Sequence, residues 1–455
     1  MNNNTIQVEK EMSKREIRKS IIMFSGPIVA ELMLMSLINI VNLSMVGHLG
    51  AYAISSVGLT NQPVFISIAV FQSLNVGATA LISRFIGAQD YKEVKAVVVQ
   101  TMILSIIIGV VLSIIGFIFS RQIVLLMGAQ TDTVESASMF MRYMAIGMLL
   151  QSVPTAVASI LRGAGESKVP MKFNIVSNIV NAAAGIVLIY GLPIFPGLGL
   201  QGAAIASTLA KLTACIMSVY ALMKCGLPVA ISLQDNYRLD IKVIKRILNI
   251  GISTAGEQFA MRLGFLLYTR IIADLGTVSL AAHQICLSIT ALASNVMSGL
   301  SIAASSFTGR SLGADKPDLA EEYCTEIRRI GLMVSISMGV SFFFAGHQIS
   351  RIFTSDKSVL ALSANVLKIA AFITFPQNSL MIISGGLRGA GDTKWPLVSS
   401  LAGTVVGRIT MAIIFVKVFH LGLGGAWSAA LLDQSIRSVL LHFRFKAGKW
   451  KHISV

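Results

Sequence analysis

Charge is scarce in this chain. Asp, Glu, Lys and Arg together make up 13% of its 455 residues, about half the share of an ordinary soluble domain. So sparse a polar surface excludes a protein that stays dispersed in water. Acids are scarcer still, 21 against 37 Lys and Arg. Cysteine occurs four times, as Cys215, Cys225, Cys286 and Cys324, with neither metal-ligand spacing nor a redox pair. Disulfide scaffolds, zinc modules and iron–sulfur clusters are therefore excluded, and the thiols serve as small apolar filler. The six His form no HExxH, and no GxxxxGK[ST] occurs. A zinc hydrolase, an ATP-driven motor and any nucleotide partner are thereby removed, and no enzyme and no cofactor are expected.

What fills the chain instead is apolar: 54% hydrophobic residues and a mean hydropathy of +0.75. A helix needs about 20 apolar residues to cross a bilayer. Stretches of that kind recur at 21–47, 53–82, 95–120, 136–160, 172–192, 201–223, 247–273, 279–307, 327–346, 360–385, 397–418 and 423–441. The fold class is an all-α integral membrane protein with twelve transmembrane helices.

These spans are two copies of six. Moving the chain by 226 positions brings Glu31 onto Glu257, Arg84 onto Arg310, Gln151 onto Gln377, Pro170 onto Pro396, and Leu161–Gly165 onto Leu387–Gly391. Hydrophobic periodicity does not align charges, an amide and a proline at one offset, so the chain is an internal duplication. An even number of crossings per copy makes the repeats parallel, two bundles around a central cavity. Most of the 37 Lys and Arg fall in the N-terminal tail, the even-numbered loops, the linker and the C-terminal tail. By the positive-inside rule both termini are cytoplasmic, and the net charge of +16 reflects topology and anionic lipid, not nucleic acid. The organisation expected is a tail at 1–20, a bundle at 21–223, a linker at 224–246 containing Pro228, Asp235 and Asn236, a bundle at 247–441, and a tail at 442–455. With two bundles in one chain, a monomer is expected.

Ionisable residues inside spans are where function belongs, since each costs about 3 kcal/mol at the bilayer centre on insertion scales. The acids are Glu31, Glu257 and Asp433; the bases are Lys211, Arg262, Arg270, Lys368 and Arg408. Asp433 has Arg437 four residues on, which predicts an intrahelical ion pair. Glu31 and Glu257 occupy equivalent positions with no base at i+3 or i+4, and a buried carboxyl of that kind takes up a proton or holds a monovalent cation. The alternative is a protonated Glu that only packs helices. Arg262 follows Glu257 by five residues, a poor intrahelical spacing that favours a partner on another helix.

Asn174, Asn178 and Asn181 recur at i, i+4 and i+7, one face of the fifth span, and Asn42 shares a face with Glu31. Amides on one stripe suit Na⁺ coordination, hydrogen bonding of a polar substrate, or interhelical packing. In the second copy the stripe becomes Ser400, Thr404 and Gly407. The 21 Met suit a permissive apolar cavity or ordinary packing, and Arg162 and Arg388 mark tight cytoplasmic turns after the fourth and tenth spans.

Met45-Val46-Gly47-His48-Leu49-Gly50, the doubled Leu-Arg-Gly-Ala-Gly, Gly202-Ala203-Ala204-Ile205-Ala206 and Ala281-Ala282-His283-Gln284 resemble the MATE family, the multidrug and toxic compound extrusion transporters, over about Ser20 to Leu440. The resemblance implies a bacterial inner-membrane antiporter that exports organic cations or other drugs in exchange for Na⁺ or H⁺. One bacterial branch of that family uses an Asp in the first span and an Asn/Asp pair in the fifth; the matching positions here hold Asn42, Asn181 and Gly185. Another uses an acid in the seventh span and an Asp in the tenth; this chain has Glu257 about one turn before the first and Gln377 at the second. The residues implied for cation coupling are Glu257, Glu31, Gln377 and Gln284, with Na⁺ near Glu257 as the one metal to expect. Those implied for the cavity are Asn42, Asn174, Asn178, Asn181, Gln151, Arg262, Tyr268 and Asn378. A lipid or lipid-linked oligosaccharide flippase is the alternative, and it requires several cations for a pyrophosphate, chiefly Arg262, Arg270 and Arg408.

Overall fold

The computed structural model describes residues 13–131, 133–192, 195–232, 235 and 237–453; Asn236 and the first twelve residues of the expected tail lie outside them. The chain is almost wholly helical. The first repeat comprises α1 (Lys14–Gly47), α2 (Ala51–Gly87), α3 (Tyr91–Ile118), a short α4 (Ser120–Leu126), α5 (Val134–Gly163), α6 (Lys168–Tyr190) and α7 (Gly199–Lys224). Between α6 and α7, β1 (Gly191–Leu192) pairs antiparallel with β2 (Phe195–Pro196). The second repeat comprises α8 (Ile241–Ala273), α9 (Thr277–Gly313), α10 (Pro317–Arg351), α11 (Lys357–Gly389), α12 (Lys394–Ala402) with its continuation to Val418, and α14 (Gly422–Lys446).

Two differences from the expected spans have local causes. The third span, expected unbroken over 95–120, stops at Ile118, and Phe119 turns the chain into α4. The eleventh is not a plain α-helix: Gly403–Thr410 and Ile414–Val418 are π-helical, on either side of the three-residue α13 (Met411–Ile413). Hydropathy is blind to both, because neither break changes the apolar content. The helices also outrun their apolar cores. α1 starts at Lys14 instead of 21, since a helix continues through polar residues once it has left the hydrocarbon. Among the described residues, ten helical segments are long and apolar enough to cross a membrane. The other two long ones, α8 and α14, carry Glu257, Arg262 and Arg270, and Asp433 and Arg437.

Turn geometry repeats with the sequence. Gly50 and Gly276, 226 apart, sit at φ 104° and 96°, and Gly165 and Gly391 at 86° and 85°. Left-handed backbone of this kind favours glycine, which explains why Leu-Arg-Gly-Ala-Gly keeps its last residue in both copies.

The chain divides into two compact units. One, the N-unit, contains Ala30–Ile86 and Asp90–Gly251; the other, the C-unit, contains the chain up to Val29, Gly87–Gln89 and Ile252–Val455. The boundaries fall inside α1 and α8, not in the linker. Accordingly the first turns of α1 are built into the C-unit: Ile17, Ile21 and Ile28 are fully buried, Phe24 meets Phe307 edge-on, and Arg18 donates to Glu326 of α10 at 2.7 Å. The linker is built into the N-unit, where Gln100 of α3 donates to the Arg238 carbonyl at 2.8 Å and Lys95 pairs with Asp235 at 3.0 Å. Around these cores, Ile66, Leu126, Ile216 and Phe344 stand exposed, the apolar exterior a bilayer solvates.

Candidate functional site

The two glutamates singled out by burial each sit in an ion pair that closes inside one unit. In the N-unit, Glu31 of α1 is 4% exposed and accepts from Arg162 Nη2 at 2.7 and 2.8 Å and from Asn174 Nδ2 at 2.8 Å. In the C-unit, Glu257 of α8 is 2% exposed. It accepts from Arg388 Nη2 at 2.7 Å and from Ser400 Oγ at 3.2 Å. Every member has its counterpart 226 residues away: Glu31 and Glu257, Arg162 and Arg388, Asn174 and Ser400. Within each copy the first helix supplies the acid, the fourth crossing helix the base, and the fifth a polar side chain.

These pairs correct the sequence reading on two points. The glutamates have basic partners, on another helix and at a separation of 131 residues. Arg162 and Arg388, assigned only to cytoplasmic turns, reach back from the last turns of α5 and α11 to hold those carboxylates. Close helix crossing makes the reach short. A side chain at Gly389 would collide with the backbone carbonyl of Ser305 in α9, and one at Gly163 would press on Ile82 in α2 at 3.1 Å. The signal that could have found the pairs was the offset itself: Arg162 and Arg388 are kept at the same offset as Glu31 and Glu257.

Glu257 belongs to a larger network. Arg437 of α14, 4% exposed, donates to Ser400 Oγ at 2.7 Å and lies 3.8 Å from Glu257 Oε1. Asp433 does not pair with Arg437 as the i, i+4 spacing predicted; it pairs with Arg408 at 2.7 Å. The π-helical stretch accounts for this. It places Gly403 against the side chains of Asp433 and Arg437, and Gly407 so near that a Cβ would lie 2.6 Å from the Asp433 Cα. That closeness puts Arg408, on the same stretch, within reach of the carboxylate. The Arg408 guanidinium also lies over the Tyr268 ring at 5.6 Å. Tyr268 meets His283 edge-on at 5.7 Å, and His283 Nδ1 accepts from Trp427 Nε1 at 3.2 Å.

The other predicted site residues are dispersed. Gln377 donates to Ser294 at 2.9 Å, Asn378 to the Arg328 carbonyl at 3.1 Å, and Gln151 to Thr155 at 3.1 Å. Gln284 and Arg262 are exposed on α9 and α8. Gln284, Gln377 and Asn378 make no hydrogen bond to Glu257 among the described residues. Asn181, 8% exposed, donates to Ser207 at 3.4 Å, while Asn42 and Asn178 are half-buried. Of the amide stripe, only Asn174 touches Glu31.

A family model, MatE, matches the chain twice, over residues 27–187 and 254–414. The chain belongs to the MatE family. Among MatE relatives, a probable multidrug resistance protein NorM of Thermotoga maritima is 27% identical over 447 residues, 97% of this chain and 94% of its own. An uncharacterized transporter, YisQ, of Bacillus subtilis is 24% identical over 96% of each chain. Among solved MATE structures, one in complex with MaL6 is 25% identical and superposes with a TM-score of 0.88 over 95% of this chain and 97% of its own. An outward-facing multidrug resistance MATE transporter of the MOP superfamily, 24% identical, has the same fold, with a TM-score of 0.88 over 97% of this chain and all of its own. Membership of the MatE family bears out the resemblance drawn from the motifs. Among the described residues, the twelve long helices in two repeats are consistent with the MatE fold.

Proposed function

We propose that the protein is a cation-coupled multidrug exporter of the bacterial inner membrane. It works by alternating access, with both termini cytoplasmic and one chain as the working unit. The carrying observation is the pair of buried glutamates, each neutralised by an arginine of its own repeat, in a chain of a family whose relatives include probable multidrug resistance proteins.

The chemistry follows from competition for one carboxylate. Arg388 holds Glu257 through Oε2 at 2.7 Å. A proton on Glu257 cancels the charge that Arg388 and Arg437 share; a Na⁺ must take the place of the guanidinium. Either way a buried base loses its partner, and breaking such a pair costs about 3 kcal/mol or more. That is a shift of roughly a hundredfold in the balance between two conformations. Ion binding from outside thus favours a repacked state in which a bound drug loses contacts and leaves, and ion and drug become linked. Ser400 and Arg437 pass the change from α8 to α12 and α14. The first-half site at Glu31 offers the same switch with Asn174 in place of Ser400. Neither step involves covalent chemistry.

The flippase alternative needs cations free to hold a pyrophosphate. Arg388, Arg408 and Arg437 are each engaged by an acid, and Arg270 pairs with Asp274. Export of drugs is therefore the better supported reading. It is tested by efflux of a fluorescent cationic dye from proteoliposomes under a Na⁺ gradient and, separately, a pH gradient. One gradient should drive efflux and Glu257→Gln should lose it. Full gradient-driven transport by that variant removes Glu257 from the mechanism.

A further inference from the structure

Asp433 and Arg437 stand one turn apart on α14 and do not pair, although each keeps an atom open to the other. Among the described residues Asp433 Oδ1 accepts no hydrogen bond and Arg437 Nε donates none. Both atoms are buried, where an unmade hydrogen bond is costly. The side chains also adjoin. A Cβ at Gly403 would lie 2.4 Å from Asp433 Oδ1, 2.3 Å from Arg437 Cγ and 2.6 Å from its Cδ, so both border one gap that a glycine leaves clear. In the first repeat the three positions read Ser177, Ser207 and Lys211, and the Ser177 hydroxyl donates to the Ala210 carbonyl at 2.7 Å. The gap flanked by opposite charges belongs to the second repeat.

Exposure decides which arginine can leave. Glu257 faces Arg388 and Arg437, and Asp433 faces Arg408, three bases for two acids. The Arg388 and Arg408 side chains are 19% and 18% exposed, that of Arg437 only 5%. A neutralised Glu257 therefore leaves Arg388 a way to water and Arg437 none. The acid that remains for Arg437 is Asp433, at the i, i+4 spacing where side chains on one helix meet. Arg408, once displaced, keeps the face of the Tyr268 ring at 5.6 Å. It is carried on the π-helical stretch Gly403–Thr410, a local departure from α-helical register of the kind that recurs at functional sites.

We propose that Asp433 is a positioning residue for ion coupling: when Glu257 is neutralised, Arg437 exchanges it for Asp433 and drives Arg408 off, which frees the π-helical stretch from α14. This rests on the export reading and deepens it, since it names the acid that receives the base released at Glu257. The charged and titratable groups that meet the cluster are Glu257 and Tyr268 of α8, His283 of α9, Arg388 of α11 and Arg408.

Thermal unfolding of the full-length protein in detergent reads the exchange without transport. The non-additive part of the melting-temperature shifts of Asp433→Asn, Arg437→Gln and their combination is compared in wild type and in Glu257→Gln. That coupling should be at least about twice as large in Glu257→Gln, where Arg437 has turned to Asp433. An equal or smaller coupling overturns the proposal. Where those single variants do not fold, Arg408→Gln combined with Asp433→Asn decides, because it removes an acid with its base and leaves the net charge unchanged. In proteoliposomes this variant should need about fivefold more of the driving ion, Na⁺ or H⁺, for half-maximal dye efflux, since Arg437 has no second acid to turn to. A requirement within about twofold of wild type shows that summed charge alone matters and likewise overturns the exchange. A wild type whose efflux follows neither gradient fails the export reading, while the unfolding experiment still judges the exchange.

Discussion

The two repeats carry the same glutamate–arginine pair and spend it differently. Around Glu31 the pair includes Arg162 and Asn174. Around Glu257 it opens into a chain of charges through Ser400 and Arg437, beside a second pair, Asp433 with Arg408. The contrast extends to the periphery. Lys95 of α3 holds Asp235 of the linker at 3.0 Å; its counterpart, Glu321 of α10, holds Lys451 of the C-terminal tail at 2.6 Å. The attachment is kept and its polarity reversed. A duplicated fold fixes where an interaction is needed and leaves open which side supplies which charge.

The comparison breaks first at the glutamates. Glu257→Gln should reduce gradient-driven dye efflux at least about a hundredfold, the factor that corresponds to about 3 kcal/mol of ion-pair energy. Glu31→Gln should leave a measurable fraction, since it removes a smaller network. A larger loss in Glu31→Gln would move coupling to the first half.

Next comes the cost of taking the nearest base from a buried acid. Arg388→Gln should lower stability in detergent by about 3 kcal/mol, and the double variant with Glu257→Gln by clearly less than the sum of the two single changes. The same cycle at Glu31 and Arg162 should give a larger coupling, because among the described residues no second base lies within 4.0 Å of Glu31, whereas Arg437 stays beside Glu257. Additivity in the second half would show that the pair contributes no mutual energy.

Helix crossing sharpens the comparison further. Gly389→Ala drives a methyl into the Ser305 backbone and should cost about 2 kcal/mol, while Gly163→Ala meets the Ile82 side chain at 3.1 Å and should cost about 1 kcal/mol or less. Thermal unfolding of the two variants decides the order.

The smallest effect is at the tail. Lys451 lies outside the spans, and its hydrogen bond to Glu321, then that to Asp318, raise its pKa above the ordinary lysine value. The contribution is present below that ordinary value and is lost as pH climbs through the raised one. With Asp318 95% exposed, it amounts to under about 1 kcal/mol. The difference in melting temperature between wild type and Lys451→Ala should be a degree or two at neutral pH, on the order expected for so weak a pair in a large chain, and should vanish at strongly alkaline pH.

Much of the fold was legible because a bilayer writes its demand in one dimension: an apolar run long enough to cross. The break at Phe119 and the π-helical turns of 403–418 were not, since they alter backbone geometry without altering hydropathy. At the site, Glu31 and Glu257 stood out as rare charges in apolar runs. Their partners did not, because interhelical packing sets them and helical-wheel arithmetic stays within one helix. That arithmetic also misassigned Asp433, for which Arg408, carried on the π-helical turn, outcompetes Arg437. Asn174 was found on its stripe, but the stripe alone did not tell which of three amides meets the acid.

Each glutamate–arginine pair closes within its own repeat and borrows nothing from the other copy. A contact of that kind needs no duplication to exist, so it is older than the two-repeat protein: the six-helix ancestor already carried it. Asp433 with Arg408 has no equivalent in the first copy, where Ser207 and Ala182 stand at those positions. The shared pair is thus the inherited part of the molecule, and the unmatched charges mark where the copies have diverged.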